Sequence, residues 1–302
     1  MIVFENLTKQ FAGRAVPALD SVSFELRDGE VLGLVGLNGA GKTTTIRLAA
    51  GVSLPTHGRV TIDGRDVVRE KRQASTHLGW VPESFPIEPG ARALPQLEYY
   101  AGFHGLHGPS SRERCRALLA QVGLAEVENE RLRTFSQGMR KRFSLASAMV
   151  SDPPNLLLDE VMNGLDPEGL AFVRGWLREL RDQRRAVLLS SHQLAELQPL
   201  ADRIAFIHRG RLLRTISRGE LESASETTLR IQMDRVDPSV LEYLESVGAP
   251  RVEGTTVYLA QPRADAATIS TELVHRGYRV GELRVESASL EAYFLRLIEA
   301  AG

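Results

Sequence analysis

The chain has 302 residues, 43% of them hydrophobic, and a formal net charge of −1, so we expect about two domains with packed cores. The near-neutral charge argues against nucleic acid as the main partner, and a single cysteine, Cys115, excludes an internal disulfide, which is typical of a cytosolic protein. No stretch has the apolar length of a membrane span and the N-terminus lacks a signal-peptide pattern, so we expect a protein that is soluble by itself.

Alternating apolar residues predict strands over residues 1–35. The last of these, 31–35, is apolar throughout, which favours a buried parallel strand. Two more short strands are predicted at 58–64 and 78–83, and Pro82 stops the second.

A glycine-rich loop follows the buried strand. It matches G-x-x-x-x-G-K-[ST] at every fixed position, and a helix is predicted after it, from Thr45 to Ala50. Backbone N–H groups and the helix N-terminus would surround a phosphate chain, Lys42 would neutralise the β- and γ-phosphates, and Thr43 would ligate Mg²⁺. The alternative is a turn that binds nothing, and the strand and helix on either side argue against it. The predicted phosphate-binding residues are Gly36, Leu37, Asn38, Gly39, Ala40, Gly41, Lys42, Thr43 and Thr44.

Residues 84–150 have a helical character. Ser110 and Glu113 form a capping-box pattern before an apolar stripe that includes Cys115. A second helix is predicted to open at Ser136. Its apolar face includes Met139, whose role as a core residue or as a ligand contact is left open.

Two buried strands end in polar residues, and their carboxyl ends are the expected place for a site. The run 156–158 precedes Asp159, which is placed to hold the hydration shell of Mg²⁺, and Glu160, the natural general base for water attack on a γ-phosphate. The strand 186–191 precedes His192, which would contact the γ-phosphate or position the water. The alternatives are a solvated strand end and a structural histidine.

A polar stretch, 218–227, is expected to link a second domain over 228–302 to the first. The second domain is predicted to have the element order βαββαβ, that of the ferredoxin-like motif, plus a last helix over 289–299. Asp237 and Pro238 predict the start of its first helix.

Over residues 1 to about 217 the sequence resembles the ATP-binding subunits of ABC transporters. The loop and the run ending in Glu160 match the Walker A and Walker B motifs, and His192 matches the switch histidine. Residues 135–139 match the ABC signature, and residues 163–166 match the D-loop. Phe11 lies where the family places an adenine-stacking aromatic residue, and Glu83 lies where it places a glutamine that senses Mg²⁺.

The resemblance implies an α/β protein. It would have a P-loop NTPase core, an antiparallel β subdomain and a helical subdomain at about 84–150, followed by the small α+β C-terminal domain. It also implies that two copies, or one copy and a related partner, sandwich ATP between the Walker A loop of one protomer and the signature of the other. The residues expected to bind nucleotide besides the loop are Phe11, Ser136, Gln137, Gly138, Met139 and Asp166, and the expected Mg²⁺ ligands are Thr43, Glu83 and Asp159.

An ATPase of this kind, with ATP and Mg²⁺ as cofactors, would power an integral-membrane permease from the inner face of the cell membrane. Gln137, Glu83 and the tail 289–295 resemble exporter-type members, whereas Val161 and Met162 replace the usual Pro-Thr after the catalytic glutamate. Two alternatives stay open. One is a soluble ABC ATPase in iron–sulfur assembly or nucleic-acid processing, and the other is a regulatory module that binds ATP but hardly turns it over.

Overall fold

A computed structural model of the chain describes residues 1–220, 227–287 and 290–301. The chain divides into two units, Met1–Arg218 and Gly219–Gly302, and each has its own hydrophobic core. Residues 221–226 of the expected linker and Ser289 of the expected tail motif lie outside the described residues. In the part of the chain that is described, no helix is long and apolar enough to cross a membrane.

The first unit contains two sheets. Its strands are β1 (Ile2–Lys9), β2 (Leu19–Leu26), β3 (Val31–Val35), β4 (His57–Ile62), β5 (Arg65–Asp66), β6 (Leu78–Val81), β7 (Asn155–Asp159), β8 (Ala186–Ser191), β9 (Arg203–His208) and β10 (Arg211–Ser217). One sheet is antiparallel with the order β2-β1-β4-β5, and the other has the order β10-β9-β3-β8-β7-β6. In the second sheet every neighbouring pair is parallel except β9 and β10.

The parallel register brings the polar strand ends to one edge of the sheet. Strands β3, β7 and β8 are buried along their whole length, as their continuous apolar runs predict. Val35 pairs with Ser191, and Asp159 pairs with Ser190. The glycine-rich loop, Asp159 and the end of β8 therefore meet at the carboxyl edge.

The helices of the first unit are α1 (Lys42–Ala49), α2 (Lys71–Thr76), α3 (Ala93–Phe103), α4 (Gly108–Gln121), α5 (Gln137–Ala148), α6 (Pro167–Asp182) and α7 (Leu194–Leu197). Helix α1 begins at Lys42, three residues before the predicted start, because Gly41 takes a left-handed conformation with φ 114° and serves as its N-cap. The lysine and the threonine of the loop thus belong to the first turn of the helix.

The predicted capping box of Ser110 and Glu113 is wrong. Helix α4 begins at Gly108 with Pro109 in its first turn, so Ser110 already lies inside the helix. The fixed φ of proline suits the first turn and moves the start of the helix upstream. The predicted apolar face is confirmed, because its members Cys115, Leu118, Leu119 and Val122 are all buried.

Helix α5 begins where the sequence predicts it. Ser136 is its N-cap, and the Ser136 hydroxyl accepts a hydrogen bond of 3.2 Å from the Met139 N–H. Phe143 and Ala146 are fully buried on its inner face. Met139 is only half-buried, so it is not a core residue, and part of its side chain is accessible to a ligand.

The second unit is a four-stranded antiparallel sheet with helices. Its elements are β11 (Thr227–Met233), α8 (Pro238–Val247), β12 (Ala249–Glu253), β13 (Thr256–Ala260), α9 (Ala266–His275), β14 (Val280–Ser287) and α10 (Leu290–Ala301). The strand order is β12-β13-β11-β14, and the element order βαββαβ follows the ferredoxin-like motif. Asp237 caps α8 by accepting from the Val240 N–H at 3.1 Å, as the Asp-Pro pair predicts.

Candidate functional site

The glycine-rich loop lies tightly against its neighbours. A Cβ atom on Gly36 would come within 2.4 Å of the Ile207 carbonyl oxygen, and one on Gly41 within 2.7 Å of the Leu19 side chain. Any larger residue at these two positions would push the loop away from the sheet. The requirement for glycine is therefore steric at both positions, and at Gly41, with φ 114°, it is also conformational.

A cleft of about 830 Å³ opens above this loop at the carboxyl edge of the parallel sheet. Its walls are formed by residues 14–18, residues 38–44, Glu83, Glu160, Asn163, His192, Arg209 and Gly210. The structure thus brings together most of the loop with Glu83, Glu160 and His192, as the sequence predicts. This volume and the position at strand ends fit a small-molecule site.

Lys42 is the buried cation of the cleft, with 5% of its surface exposed. Its ammonium donates to the Gly36 carbonyl at 2.7 Å and forms an ion pair of 3.1 Å with Glu160 Oε1. A buried ammonium at a helix N-terminus is suited to bind an anion such as a phosphate chain. In this structure the Glu160 carboxylate lies beside the Lys42 ammonium, on one side of the place where such an anion would bind.

Glu160 is buried and held through both carboxylate oxygens. Its Oε2 accepts from Asn163 Nδ2 at 3.0 Å and lies 3.0 Å from His192 Nδ1. Burial by itself would raise the pKa of Glu160, but the contact with His192 and the charge of Lys42 outweigh it and lower the pKa below its ordinary value. Glu160 is therefore an ionised carboxylate that can accept a proton.

Asp159 lies beside Glu160 in a different environment. It is 1% exposed, and its Oδ1 accepts from the Ser190 hydroxyl at 2.7 Å and from the Thr43 hydroxyl at 3.3 Å. Burial raises the pKa of Asp159, and these two hydrogen bonds oppose the rise. Unlike Glu160, Asp159 forms no ion pair within the described part of the chain. A divalent cation would stabilise this uncompensated carboxylate.

Glu83 follows β6 and lies at the surface of the cleft. Its backbone carbonyl accepts from Lys141 Nζ at 2.8 Å, and the same ammonium lies 3.4 Å from the carbonyl of Glu160. Burial lowers the pKa of Lys141 even though Glu83, Asp159 and Glu160 oppose the change. Lys141 therefore ties α5 to the two segments that carry the acids.

The remaining predicted site residues do not line this cleft. Ser136 and Gln137 are exposed, and Gly138 and Met139 are half-buried. Asp166 is exposed and caps α6 by accepting from the Gly169 N–H at 2.8 Å.

Phe11 also lies outside the lining of the cleft and is 39% exposed. The Lys9 ammonium lies 4.9 Å from the centre of its ring. Arg14, which does line the cleft, lies 6.0 Å from that ring centre, so the ring is next to the cleft wall.

Sequence reasoning missed several functional candidates. Ser190, Asn163 and Lys141 contact the two acids directly, and Arg14 and Arg209 add positive charge to the cleft. Two of these residues had a signal in the sequence: Ser190 is a polar residue near the end of a buried strand, and Asn163 begins the segment that matches the D-loop.

The structure accounts for the residues after Glu160. Val161 and Met162 are 1% and 2% exposed, so both side chains belong to the interior of the first unit. Their apolar character suits these positions.

Comparisons with known proteins agree with this geometry. A protein-family model described as ABC transporter matches residues 19–163. YhcH, an uncharacterized ABC transporter ATP-binding protein of Bacillus subtilis (strain 168), is 32% identical over 98% of this chain and 95% of its own length. The linearmycin resistance ATP-binding protein LnrL of the same organism is 27% identical over 98% of both chains. Among solved structures, the dimeric post-hydrolysis ATP-binding cassette MJ0796 bound to ADP and Pi has a TM-score of 0.66 at 23% identity, over 72% of this chain and 99% of that one.

Proposed function

Because this chain belongs to the ATP-binding proteins of ABC transporters and is an ATPase of that family, we propose that it forms an ATP-bound homodimer that powers an integral-membrane exporter. The observation that carries the proposal is the contact set of Glu160. Its carboxylate is ionised, held by His192, and 3.1 Å from the ammonium that would bind the γ-phosphate.

Hydrolysis follows from this arrangement. The γ-phosphate takes the position beside Lys42, which releases Glu160 Oε1 from the ammonium. Oε1 then accepts a proton from a water whose oxygen attacks the γ-phosphorus, while the bond to the β-phosphate oxygen breaks to give ADP and phosphate. His192 keeps the other carboxylate oxygen in place during this step.

Thr43 and Asp159 would hold Mg²⁺ at the edge of the cleft, with Glu83 as a further ligand. The fit is good because the Thr43 hydroxyl and the Asp159 carboxylate are adjacent oxygen ligands and Asp159 is buried. Among the described residues, no group of three or more His, Cys, Asp or Glu could hold a metal ion. The protein would therefore supply only part of the Mg²⁺ ligands, and phosphate oxygens of ATP would supply others. Mg²⁺ would neutralise charge on those oxygens.

The homodimer would complete the site. Ser136 caps α5, so the N-terminus of that helix can bind an anion, yet Ser136 lies outside the cleft of Lys42 in its own chain. With one phosphate loop and one signature per chain, two copies arranged head to tail would place each Ser136 against the nucleotide of its mate. The dimeric state of the MJ0796 cassette supports this arrangement.

An aromatic groove on the helical part supports a permease partner. Trp80, Phe85, Tyr100 and Phe103 line a cavity of about 260 Å³, and Phe103 is 72% exposed. A cytoplasmic helix of the permease would pack against the aromatic rings of this cavity, and the contact would hold the protein at the inner face of the membrane. The likeness to the linearmycin resistance protein over nearly the whole of both chains supports export.

The first test removes the proposed base. Glu160→Gln should lower kcat for ATP hydrolysis by at least about 100-fold and retain ATP binding, because the amide cannot accept the proton. Glu98→Gln, a change outside the cleft, is the control. Equal ATPase rates in wild type and Glu160→Gln would remove Glu160 from this role.

The second test examines the partners. Glu160→Gln should elute as a dimer in size-exclusion chromatography with ATP and as a monomer without it, and Ser136→Arg should abolish the dimer. A tagged chain should retain a membrane protein through purification from its own cells. If it retains soluble scaffold or repair proteins instead, the soluble alternative replaces the transport role.

A further inference from the structure

The two oxygens of the Glu160 carboxylate have different surroundings. Oε1 faces Lys42 at 3.1 Å, on the side of the phosphate loop. Oε2 lies 3.0 Å from both Asn163 Nδ2 and His192 Nδ1. One oxygen is thus fixed by two side chains from different segments, while the other is directed at the substrate position.

Asn163 belongs to a tight turn that starts at Glu160. Its N–H donates to the Glu160 carbonyl at 3.2 Å, and the next residue, Gly164, has φ +71°. The amide of Gln137 covers that glycine, because a Cβ atom on Gly164 would lie 2.3 Å from Gln137 Nε2. Gln137 therefore packs directly on the turn that carries Asn163.

We propose that Asn163 is a positioning residue for Glu160 and that Gln137, in the signature segment, holds the turn of Asn163 and Gly164 in place. This inference rests on the proposed function, in which Glu160 is the general base. Asn163 fixes Oε2 so that Oε1 presents its lone pair to the attacking water. A small displacement of a catalytic group can reduce a rate by about 100-fold, so a single amide contact is sufficient to matter.

The contact also connects two nucleotide sites. In the proposed dimer, the signature segment touches the nucleotide held by the partner, whereas Glu160 acts on the nucleotide held by its own chain. Gln137, Gly164 and Asn163 form a continuous series of contacts between those two places.

The test measures steady-state ATP hydrolysis by the full chain with three variants at one position. Asn163→Ala should lower kcat by about 10- to 100-fold and change KM for ATP by less than about twofold, since the phosphate contacts are untouched. Asn163→Asp keeps the shape but loses the donor, so it should be at least as slow. Asn163→Gln keeps an N–H donor and should recover part of the rate.

A second comparison examines the contact with the signature. Gln137→Gly should lower kcat in the wild-type chain and have no further effect in the Asn163→Ala chain, since the two residues would act through one turn. An equal effect in both backgrounds would overturn the link between the signature and Asn163.

The outcomes separate this inference from the proposed function. If Glu160→Gln abolishes hydrolysis while Asn163→Ala or Asn163→Asp keeps the wild-type kcat, the positioning role is wrong and the base assignment survives. If Glu160→Gln hydrolyses ATP at the wild-type rate, the base assignment itself fails.

Discussion

Ser190 offers the most quantitative test of how the two acids are held. It is fully buried, and its hydroxyl donates to Asp159 Oδ1 at 2.7 Å. The hydroxyl oxygen of Ser190 also accepts from the Glu160 N–H at 3.0 Å. Ser190→Ala removes both partners without changing the size of the core by more than one atom. The carboxylate loses its shorter hydrogen bond, and a buried N–H loses its acceptor.

The size of the effect follows from the two losses. A hydrogen bond to a charged group contributes about 1.5–3 kcal/mol, and an unsatisfied buried donor costs about 1–3 kcal/mol, so the free energy of unfolding should fall by about 3 kcal/mol. With a urea slope of about 3 kcal/mol/M, the midpoint of the unfolding transition should fall by about 1 M.

The loss should also depend on pH. Burial raises the pKa of Asp159, so ionisation of this carboxyl reduces stability as pH rises through that pKa. The Ser190 hydroxyl stabilises the ionised form of Asp159, so the defect of Ser190→Ala should be larger at pH 8 than in acid that protonates this carboxylate.

The assay is urea unfolding followed by tryptophan fluorescence. Both tryptophans of the chain, Trp80 and Trp176, lie in the first unit, so the signal reports on that unit. Ser144→Ala is the matched control. Ser144 is equally buried, but its hydroxyl donates only to the Lys141 carbonyl of its own helix, so its loss should be below about 1 kcal/mol. Equal midpoints for the two variants would refute the reasoning.

Four further predictions concern the cleft and the core. Lys42→Ala should abolish binding of a fluorescent ATP analogue, because the buried ammonium is lost. His192→Ala should lower kcat by about 100-fold with ATP affinity unchanged, as measured by steady-state kinetics beside equilibrium binding. Met162→Thr should lower the urea midpoint by burying a hydroxyl at a position that is 2% exposed, whereas the isosteric Met162→Leu should not. Cys115 should react with a thiol reagent only after unfolding, because it is 1% exposed and burial raises the pKa of its thiol.

Local patterns were sufficient for the parts of this protein that depend on neighbours in the chain. The glycine-rich loop, Asp159 and His192 are predicted because each lies at the end of a strand that contains an apolar run, and such strands are buried in parallel sheets. Ser136 is predicted as a cap because serine is a favoured N-cap residue, and the structure agrees, since its hydroxyl accepts from the N–H three residues later. The start of α4 was wrong, since two local signals competed and the proline in the first turn prevailed over the capping box.

The contacts that hold the acids were decided by the tertiary structure. Ser190 pairs with Asp159 through the register of two parallel strands, and Lys141 reaches Glu83 across 58 residues of sequence. Gln137 covers Gly164 only because the end of one helix packs on the turn before another. Sequence periodicity reports which face of an element is apolar, whereas the identity of a polar partner depends on how separate elements pack. The sequence by itself thus determined the chemistry available to this protein, and packing between distant segments determined which of those groups act together.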